Sequence, residues 1–388
     1  MTFYDLNVTK PIIKSNGVTN LGPGGQAVIV RLNLGGILDR IGLLTQGTPV
    51  MTASVTRDVQ GPFNIYSNIS VIPNQQVPIV SASGFGLALF NMLKYGLEND
   101  DYYVWDLKNG GALTNSPDVA PESWINGGSL LTTAAFAAPA PTTLNIPHVI
   151  PICQNMFSGI VGYWELGNPL AQLSIQLVPA YIGSASPFQI ASNVGGSEPY
   201  TGVTIPGTNN ATLASPTVDV IRFLWDTPIN PQDRPPVSFI NTIIEDTFQT
   251  TVGSSNQLKY AFAPLSGYVA RVMTYVYNGT GINTGTGADP SLGLNGNAFT
   301  FGIGDGTILV SESVPETLQR QRRELGFDLP RGTTYLDFLS KDLTWQSVFS
   351  TYDNANVNLA LNFSSALNAN ATGKVIRQVL KPLQYTQK

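Results

Sequence analysis

Charge is scarce in this sequence. Lys, Arg, Asp and Glu make up 12% of its 388 residues, about half the ~25% usual for soluble domains. Basic residues number 20 against 25 acidic ones, for a formal net charge of −5. The basic field that attracts nucleic-acid phosphates is therefore missing, and direct nucleic-acid binding is not expected. The single cysteine, Cys153, excludes an intrachain disulfide, and together with the single histidine, His148, it leaves too few ligands for a His/Cys metal cluster. Long hydrophobic runs are absent as well. The most apolar stretch, Phe85 to Leu97, is broken by Gly86, Asn91, Lys94 and Gly96, well short of the ~20 residues of a membrane-spanning helix. Met1 to Asn7 lack the apolar centre of a signal peptide, so the chain reads as soluble.

What is present points to strands. Hydrophobic residues reach 43%, enough to fill real cores, and they come with 38 Gly and 27 Pro. That combination suits many short strands joined by polar turns and disfavours long helices. A surface of Asn, Thr, Ser and Gln can press against copies of itself without like-charge repulsion. Val28, Val30, Leu32 and Leu34 alternate with Ile29, Arg31 and Asn33, and Phe63, Ile65, Ser67, Ile69 and Val71 repeat the period. Leu173–Leu177, Val218–Trp225, Tyr268–Tyr277, Phe299–Phe301 and Val357–Phe363 follow. A period of two buries one face of a strand and leaves the other to water or a second layer.

Long loops are expected at 106–143, 183–217 and 278–297, each rich in Gly, Ser, Thr, Asn or Pro. Structureless loops beyond ~12–15 residues are usually functional, and these are either floppy insertions or segments ordered by neighbouring subunits. Pro228, Pro231, Pro235 and Pro236 interrupt any regular pattern and mark a semi-rigid linker. The expected division is an arm at 1–17, a first domain at 18–227, the linker at 228–236 and a second domain at 237–388. A short repeat supports it: Asn168 precedes Leu173, Ile175 and Leu177 at the offsets by which Asn354 precedes Leu359, Leu361 and Phe363. One helix is signposted by Ser313 and Glu316 as a capping box, Pro315 in the first turn and Gly326 as a stop. Its sparse apolar positions read as a solvated surface helix; the alternative is that Arg320 and Arg323 reach a carboxylate on a neighbour. A second helix is expected across Leu87–Lys94.

Chemistry is hard to find. His148, in Ile146-Pro147-His148-Val149-Ile150-Pro151, has no G-x-S-x-G nucleophile to serve and reads as a structural histidine. Cys153 reads as a buried, inert thiol. Gly302-Ile303-Gly304-Asp305-Gly306 precedes a strand pattern, where a phosphate-cradling loop needs a helix, and reads as a turn. Glu98, Asp100 and Asp101 beside Tyr102, Tyr103 and Trp105 could line a sugar cleft, although a polar turn before an aromatic strand is the plainer reading. Lys374, Arg377, Lys381 and Lys388 enrich the C-terminus in positive charge, with Val375, Arg377 and Val379 on one face of a final strand. No catalytic, cofactor-binding or metal-binding residue is assigned, and no enzyme activity is expected.

One run is more specific. Arg322-Arg323-Glu324-Leu325-Gly326-Phe327-Asp328-Leu329-Pro330-Arg331-Gly332-Thr333-Thr334-Tyr335-Leu336-Asp337 resembles the basic helix, Asp-x-Pro-basic-Gly turn and strand in the second barrel of tectivirus-type major capsid proteins, the adenovirus-hexon-like lineage. Gly61-Pro62-Phe63-Asn64, Ser83-Gly84 with Leu89-Phe90-Asn91, Ile150-Pro151 with Phe157-Ser158-Gly159, and Pro236-Val237-Ser238-Phe239-Ile240 are similar in the same order, so the likeness spans roughly residues 20 to 385. It implies an all-β chain of two tandem eight-stranded antiparallel jelly rolls with one or two short helices. It further implies a homotrimer of pseudo-hexagonal outline, made in the host cytoplasm, that tiles the icosahedral shell of a tailless virus such as a tailless bacteriophage over an internal membrane. Implied partners are copies of itself, neighbouring capsomers, minor capsid, penton and membrane-associated virion proteins, and lipid reached by an N-terminal arm, Met1 to Asn16. The rival readings are a lectin-like spike or adhesin using Tyr102, Tyr103 and Trp105, and a β-sandwich glycoside hydrolase using Glu98 or Asp101.

Overall fold

The structure is a computed structural model that describes residues 11–21, 26–51, 55–56, 65–74, 77–95, 135–136, 144–156, 159–162, 164–166, 172–180, 189–192, 210–227, 239–250, 256–263, 267–278, 299–303, 308–325, 333–339, 348–351, 356–367 and 371–382. Sixteen principal strands and two helices carry the fold. The first eight strands are β1 (Pro11–Asn20), β2 (Val28–Arg31), β3 (Ile37–Met51), β4 (Tyr66–Pro73), β5 (Val80–Ala82), β6 (Leu144–Pro151), β7 (Leu173–Pro179) and β8 (Asn210–Trp225). The second eight are β9 (Phe239–Thr250), β10 (Gln257–Ala261), β11 (Tyr268–Asn278), β12 (Phe299–Ile303), β13 (Ile308–Glu312), β14 (Thr334–Asp337), β15 (Val357–Asn362) and β16 (Ala371–Pro382). Helix α1 (Gly84–Tyr95) follows β5, and α2 (Val314–Leu325) follows β13.

Each set of eight folds the same way. Strand β1 pairs antiparallel with β8, β2 with β7, β3 with β6 and β4 with β5. In the second set β9 pairs with β16, β10 with β15, β11 with β14 and β12 with β13. Such nested pairing is one long hairpin rolled into two facing sheets, which is the jelly roll. The first roll opposes β1-β8-β3-β6 to β2-β7-β4-β5, and the second opposes β9-β16-β11-β14 to β10-β15-β12-β13. Strand n of the first roll and strand n + 8 of the second hold the same place, and each roll inserts its helix between the fifth and sixth strands.

Alternation explains the strands. In β7, Leu173, Ile175, Leu177 and Pro179 are buried while Ser174, Gln176 and Val178 are half-buried, because the strand lies between β2 and β4 with one face on the core. The repeat seen around Leu173 and Leu359 falls on β7 and β15, the same strand of the two rolls. The first core gathers Leu38, Ile41, Leu43, Tyr66, Ile69, Val71, Ile175 and Val220. The second is centred on Phe301, whose ring meets Phe262, Phe338 and Phe349 at centroid distances of 5.8, 5.5 and 5.2 Å.

Some expectations change. Part of the stretch expected as an arm over 1–17 is strand: Pro11–Asn20 form β1, hydrogen-bonded to β8, because Ile12 packs on the first core. Residues 1–10 lie outside the described residues. The expected loop at 183–217 contains a short strand at Gln189–Ser192 and the first half of β8, which pairs with β3. That half shows little hydrophobic alternation, so β3 defines it where its own pattern does not. The Pro-rich segment 228–236, the turn 304–307 and the group Glu98, Asp100, Asp101, Tyr102, Tyr103 and Trp105 lie outside the described residues.

Candidate assembly surfaces

Three features bear on function: the seam between the rolls, the polar groups that hold the helices on it, and two strand edges without a partner.

At the seam β5 runs parallel to β9, with Val80 opposite Ile243 and Ser81 opposite Ile244, and Ile243 N donates to Ile79 O at 2.9 Å. The sheet β2-β7-β4-β5 of the first roll thus continues into β9-β16-β11-β14 of the second. Ile243, Met273, Tyr275, Tyr335 and Ile376 of the second roll belong to the first roll's core, and Phe85 of α1 stands edge-on to Tyr275. A buried polar network crosses the same boundary. Arg271 donates to Asp337 at 3.0 Å, to Gln154 at 2.9 Å and to Gln378 at 3.1 Å. Gln378 donates to Asn241 at 2.9 Å, and Asn241 donates to the carbonyl of Ile152 at 3.0 Å. Buried charge is tolerated where each donor finds an acceptor, as here.

Helix α1 is capped across the seam. Ser83 Oγ accepts from Gly86 N at 2.9 Å and donates to Glu245 Oε2 at 2.7 Å. Glu245, on β9, also takes Ser83 N at 2.7 Å on Oε2 and the Tyr275 hydroxyl at 2.5 Å on Oε1. A carboxylate from one roll therefore closes the helix start of the other, where the helix dipole favours negative charge. A Cβ on Gly86 would stand 2.4 Å from Glu245 Oε2, so only glycine lets the carboxylate approach. A cavity of about 110 Å³ lies beside it, lined by Ser67, Asn68, Ala82, Ser83, Glu245, Tyr275 and Lys374. Glu245→Ala strands the Ser83 and Tyr275 donors, and we expect a loss of roughly 1–3 kcal/mol, read as a lower denaturation midpoint in urea.

Helix α2 is capped from within. Ser313 N and Oγ donate to Glu316 Oε2 at 2.7 and 2.8 Å, and these bonds hold the Glu316 carboxyl below its usual pKa. The solvated-helix reading fails for Arg320, which donates to Glu312 at 2.7 Å and to Tyr335 O at 2.8 Å and lies 4.9 Å over the Tyr335 ring. It clamps α2 to β13 and β14 within its own chain, and burial beside Glu324 raises the Tyr335 hydroxyl pKa. Arg323 stays exposed beside Glu324 at 3.8 Å.

The other described residues singled out sit in or beside the strands. His148 is buried with its ring 5.3 Å from that of Tyr66. Cys153 is buried, and its setting is more polar than the flanking residues imply: Sγ donates to Asp39 Oδ1 at 2.6 Å. Lys374 donates to Thr247 and Arg377 to Asp246 along β9, while desolvation lowers the Lys381 pKa. Lys388 lies outside the described residues. Among the described residues no group of three His, Cys, Asp or Glu could hold a metal ion.

Several strands end a sheet among the described residues, and two of them bear on assembly: β1 in the first roll and β13 in the second, each with a neighbour on one side only. Each carries exposed large apolar side chains, Ile13 and Val18 on β1 and Ile308 and Leu309 on β13; Ile29 on β2, Leu34 after it and Val77 are the others among the described residues. Exposed apolar edges are liabilities in a protein that stays alone.

No protein-family model and no curated protein matches the sequence. Solved structures do match, along nearly the whole chain. The STIV (Sulfolobus Turreted Icosahedral Virus) major capsid protein aligns with a TM-score of 0.63 at 14% identity, covering 97% of this chain and 98% of its own. The fold is the double jelly roll of viral major capsid proteins. Double jelly rolls of equal extent are the major capsid protein P2 of bacteriophage PM2, at TM-score 0.51, 9% identity and 97% and 99% coverage, and a chain of the PBCV-1 virus capsid, at 0.54, 10% and 96% and 93%. With identities this low, what the double jelly rolls share is the path of the chain. The sequence signal for the seam network was weak, since Glu245, Arg271 and Asp337 sit in otherwise ordinary strand patterns.

Proposed function

We propose that this chain is the major capsid protein of a tailless icosahedral virus, working by shape and without catalysis. Three copies close into a pseudo-hexagonal capsomer, and capsomers tile the virion shell over an internal membrane. The observation that carries the reading is the pair of apolar, one-sided edges at β1 and β13 on a chain whose two rolls are already fused through a shared sheet. Likeness to three capsid structures at coverage above nine-tenths of each chain supports it. The division into an arm at 1–17, rolls at 18–227 and 237–388 and a linker at 228–236 belongs to this proposal, with residues 11–17 serving as strand as well. So do contacts with minor capsid, penton and membrane-associated virion proteins, lipid contact by the N-terminal segment, and synthesis in host cytoplasm.

An obligate capsomer interface buries about 2,000–5,000 Å². Sedimentation of the purified chain at micromolar concentration is expected to show a trimer, and negative-stain images a pseudo-hexagonal outline. A chain that sediments as a monomer at high concentration overturns the proposal.

A further inference from the structure

The two rolls carry short matching sequences at matching places. The fifth strands read Val80-Ser81-Ala82-Ser83 and Val310-Ser311-Glu312-Ser313, each ending on the serine that starts its helix. The eighth strands read Val220-Ile221-Arg222 and Val375-Ile376-Arg377. Ile13 faces Phe223, one residue past Arg222, as Ile243 faces Gln378, one past Arg377. Ile13 and Ile243 thus hold equivalent positions, and so do Val80 and Val310, and Ile79 and Leu309.

Burial at these pairs differs in one direction. Ile79 is 5% exposed and Val80 and Ile243 are 0% exposed, whereas Leu309 is 46% and Ile13 68% exposed. Ile376 and Gln378 are buried; their counterparts Ile221 and Phe223 are only half-buried. At these positions the residue covered by the seam within the chain has a more exposed counterpart on β1, β8 or β13. The helix caps differ to match. The counterpart of Glu245, which faces Ile376, is Ser15, which faces Ile221. Ser15 carries no carboxylate of its own and its hydroxyl donates to Asp219 Oδ1 at 2.6 Å within the chain, while α2 supplies its own cap in Glu316. The edge that would meet another chain is attached to a helix complete before that chain arrives.

Building on the capsid reading, we infer that β13 of one copy adds in parallel to β1 of a second, repeating the β5–β9 seam with Val310 opposite Ile13 and Ser311 opposite Lys14. Ile13 N then donates to Leu309 O of the other copy, as Ile243 N does to Ile79 O. Strand addition to an open edge supplies main-chain hydrogen bonds, with side-chain fit setting the register. Ile13, pointing out of its own roll, closes the open side of the neighbour's second core, where Val310 packs. The bulge between Ser15 and Val18, with Gly17 at φ +104°, turns β1 away beyond that point, so the added strand is short. The joint is head-to-tail, and repeated it closes a ring.

The test uses the full-length chain in two singly substituted forms, Ile13→Cys and Val310→Cys, mixed and mildly oxidised. Directly opposed strand residues fall within disulfide reach, about 4.4–6.8 Å between Cα atoms. The expected result is a covalent pair in the mixture and none in either form alone, while the doubly substituted chain gives covalent rings the size of the native assembly. Ile13→Asp, at an exposed position, is expected to leave the thermal transition of the dissociated chain unchanged and raise the concentration needed for assembly by about tenfold or more. Assemblies of native size that give no mixed pair, that link like to like, or that form as readily with Ile13→Asp overturn this joint and leave the capsid reading intact. A parent chain that never assembles removes the capsid reading, and the joint with it.

Discussion

Replacing Asp337 by alanine is expected to lower the stability of the chain by about 3–5 kcal/mol. Arg271 and Asp337 are both almost fully buried, 3.0 Å apart. The other partners of Arg271, Gln154 and Gln378, are neutral amides. Without the carboxylate, the guanidinium keeps its hydrogen bonds to the amides and loses the only charge that balances it. The loss is a lower denaturation midpoint at unchanged slope, since the surface exposed on unfolding is the same. Asp337→Asn keeps an acceptor for Arg271 and is expected to lose less. Changing both partners to apolar residues of similar size, Arg271→Met with Asp337→Leu, is expected to recover most of the deficit. Equal losses for the asparagine and alanine variants would show that the hydrogen-bond acceptor adds nothing beyond the charge, and an asparagine variant as stable as the parent would show that the charge does not matter.

Phe301→Ala is expected to cost a further 3–5 kcal/mol, the range for emptying a buried aromatic site. Phe301 is fully buried and meets Phe262, Phe338 and Phe349, so three rings lose their common neighbour and cannot all close the void. The substitution lies in the second core, yet its effect should reach the first roll. The rolls share a sheet and five second-roll residues pack in the first core, so both should unfold in one transition at the lower midpoint. Circular dichroism and tryptophan fluorescence recorded together check this. With Trp345 of the second domain changed to phenylalanine in both parent and variant, Trp164 and Trp225 of the first roll report on the part that was not altered. Two separated transitions would mean that the seam transmits little.

The sequence carried the strands better than their boundaries. Leu173–Leu177, Tyr268–Tyr277 and Val357–Phe363 were legible because they sit inside sheets with one face on a core, where the period of two is cleanest. The start of β1 was read as an arm, since an edge strand with one neighbour keeps Ile13, Lys14 and Ser15 exposed and shows no buried stripe. The first half of β8 was read as loop for a related reason: pairing with β3 defines it, and pairing between distant segments leaves no mark in local composition. The capping box of α2 was visible because it is written within four residues, Ser313 to Glu316. The cap of α1 was not, because its carboxylate comes from Glu245, 162 residues away from Ser83. The assembly edges were hidden in the same way. Val80 and Val310 stand in nearly identical tetrapeptides, and only the folded chain shows that one is fully buried and the other half-buried.

The two helix caps also bear on the order in which the molecule is completed during synthesis. Chains emerge from the N-terminus, and domains generally fold as they appear. The first roll leaves the ribosome with β5 lacking its parallel neighbour and α1 lacking Glu245, so it stays unfinished until β9 has been translated. The second roll carries Glu316 beside Ser313 and needs nothing from a later stretch of chain to finish its helix. Maturation therefore runs backwards along the polypeptide: the part made last caps its own helix, and its arrival completes the helix of the part made first.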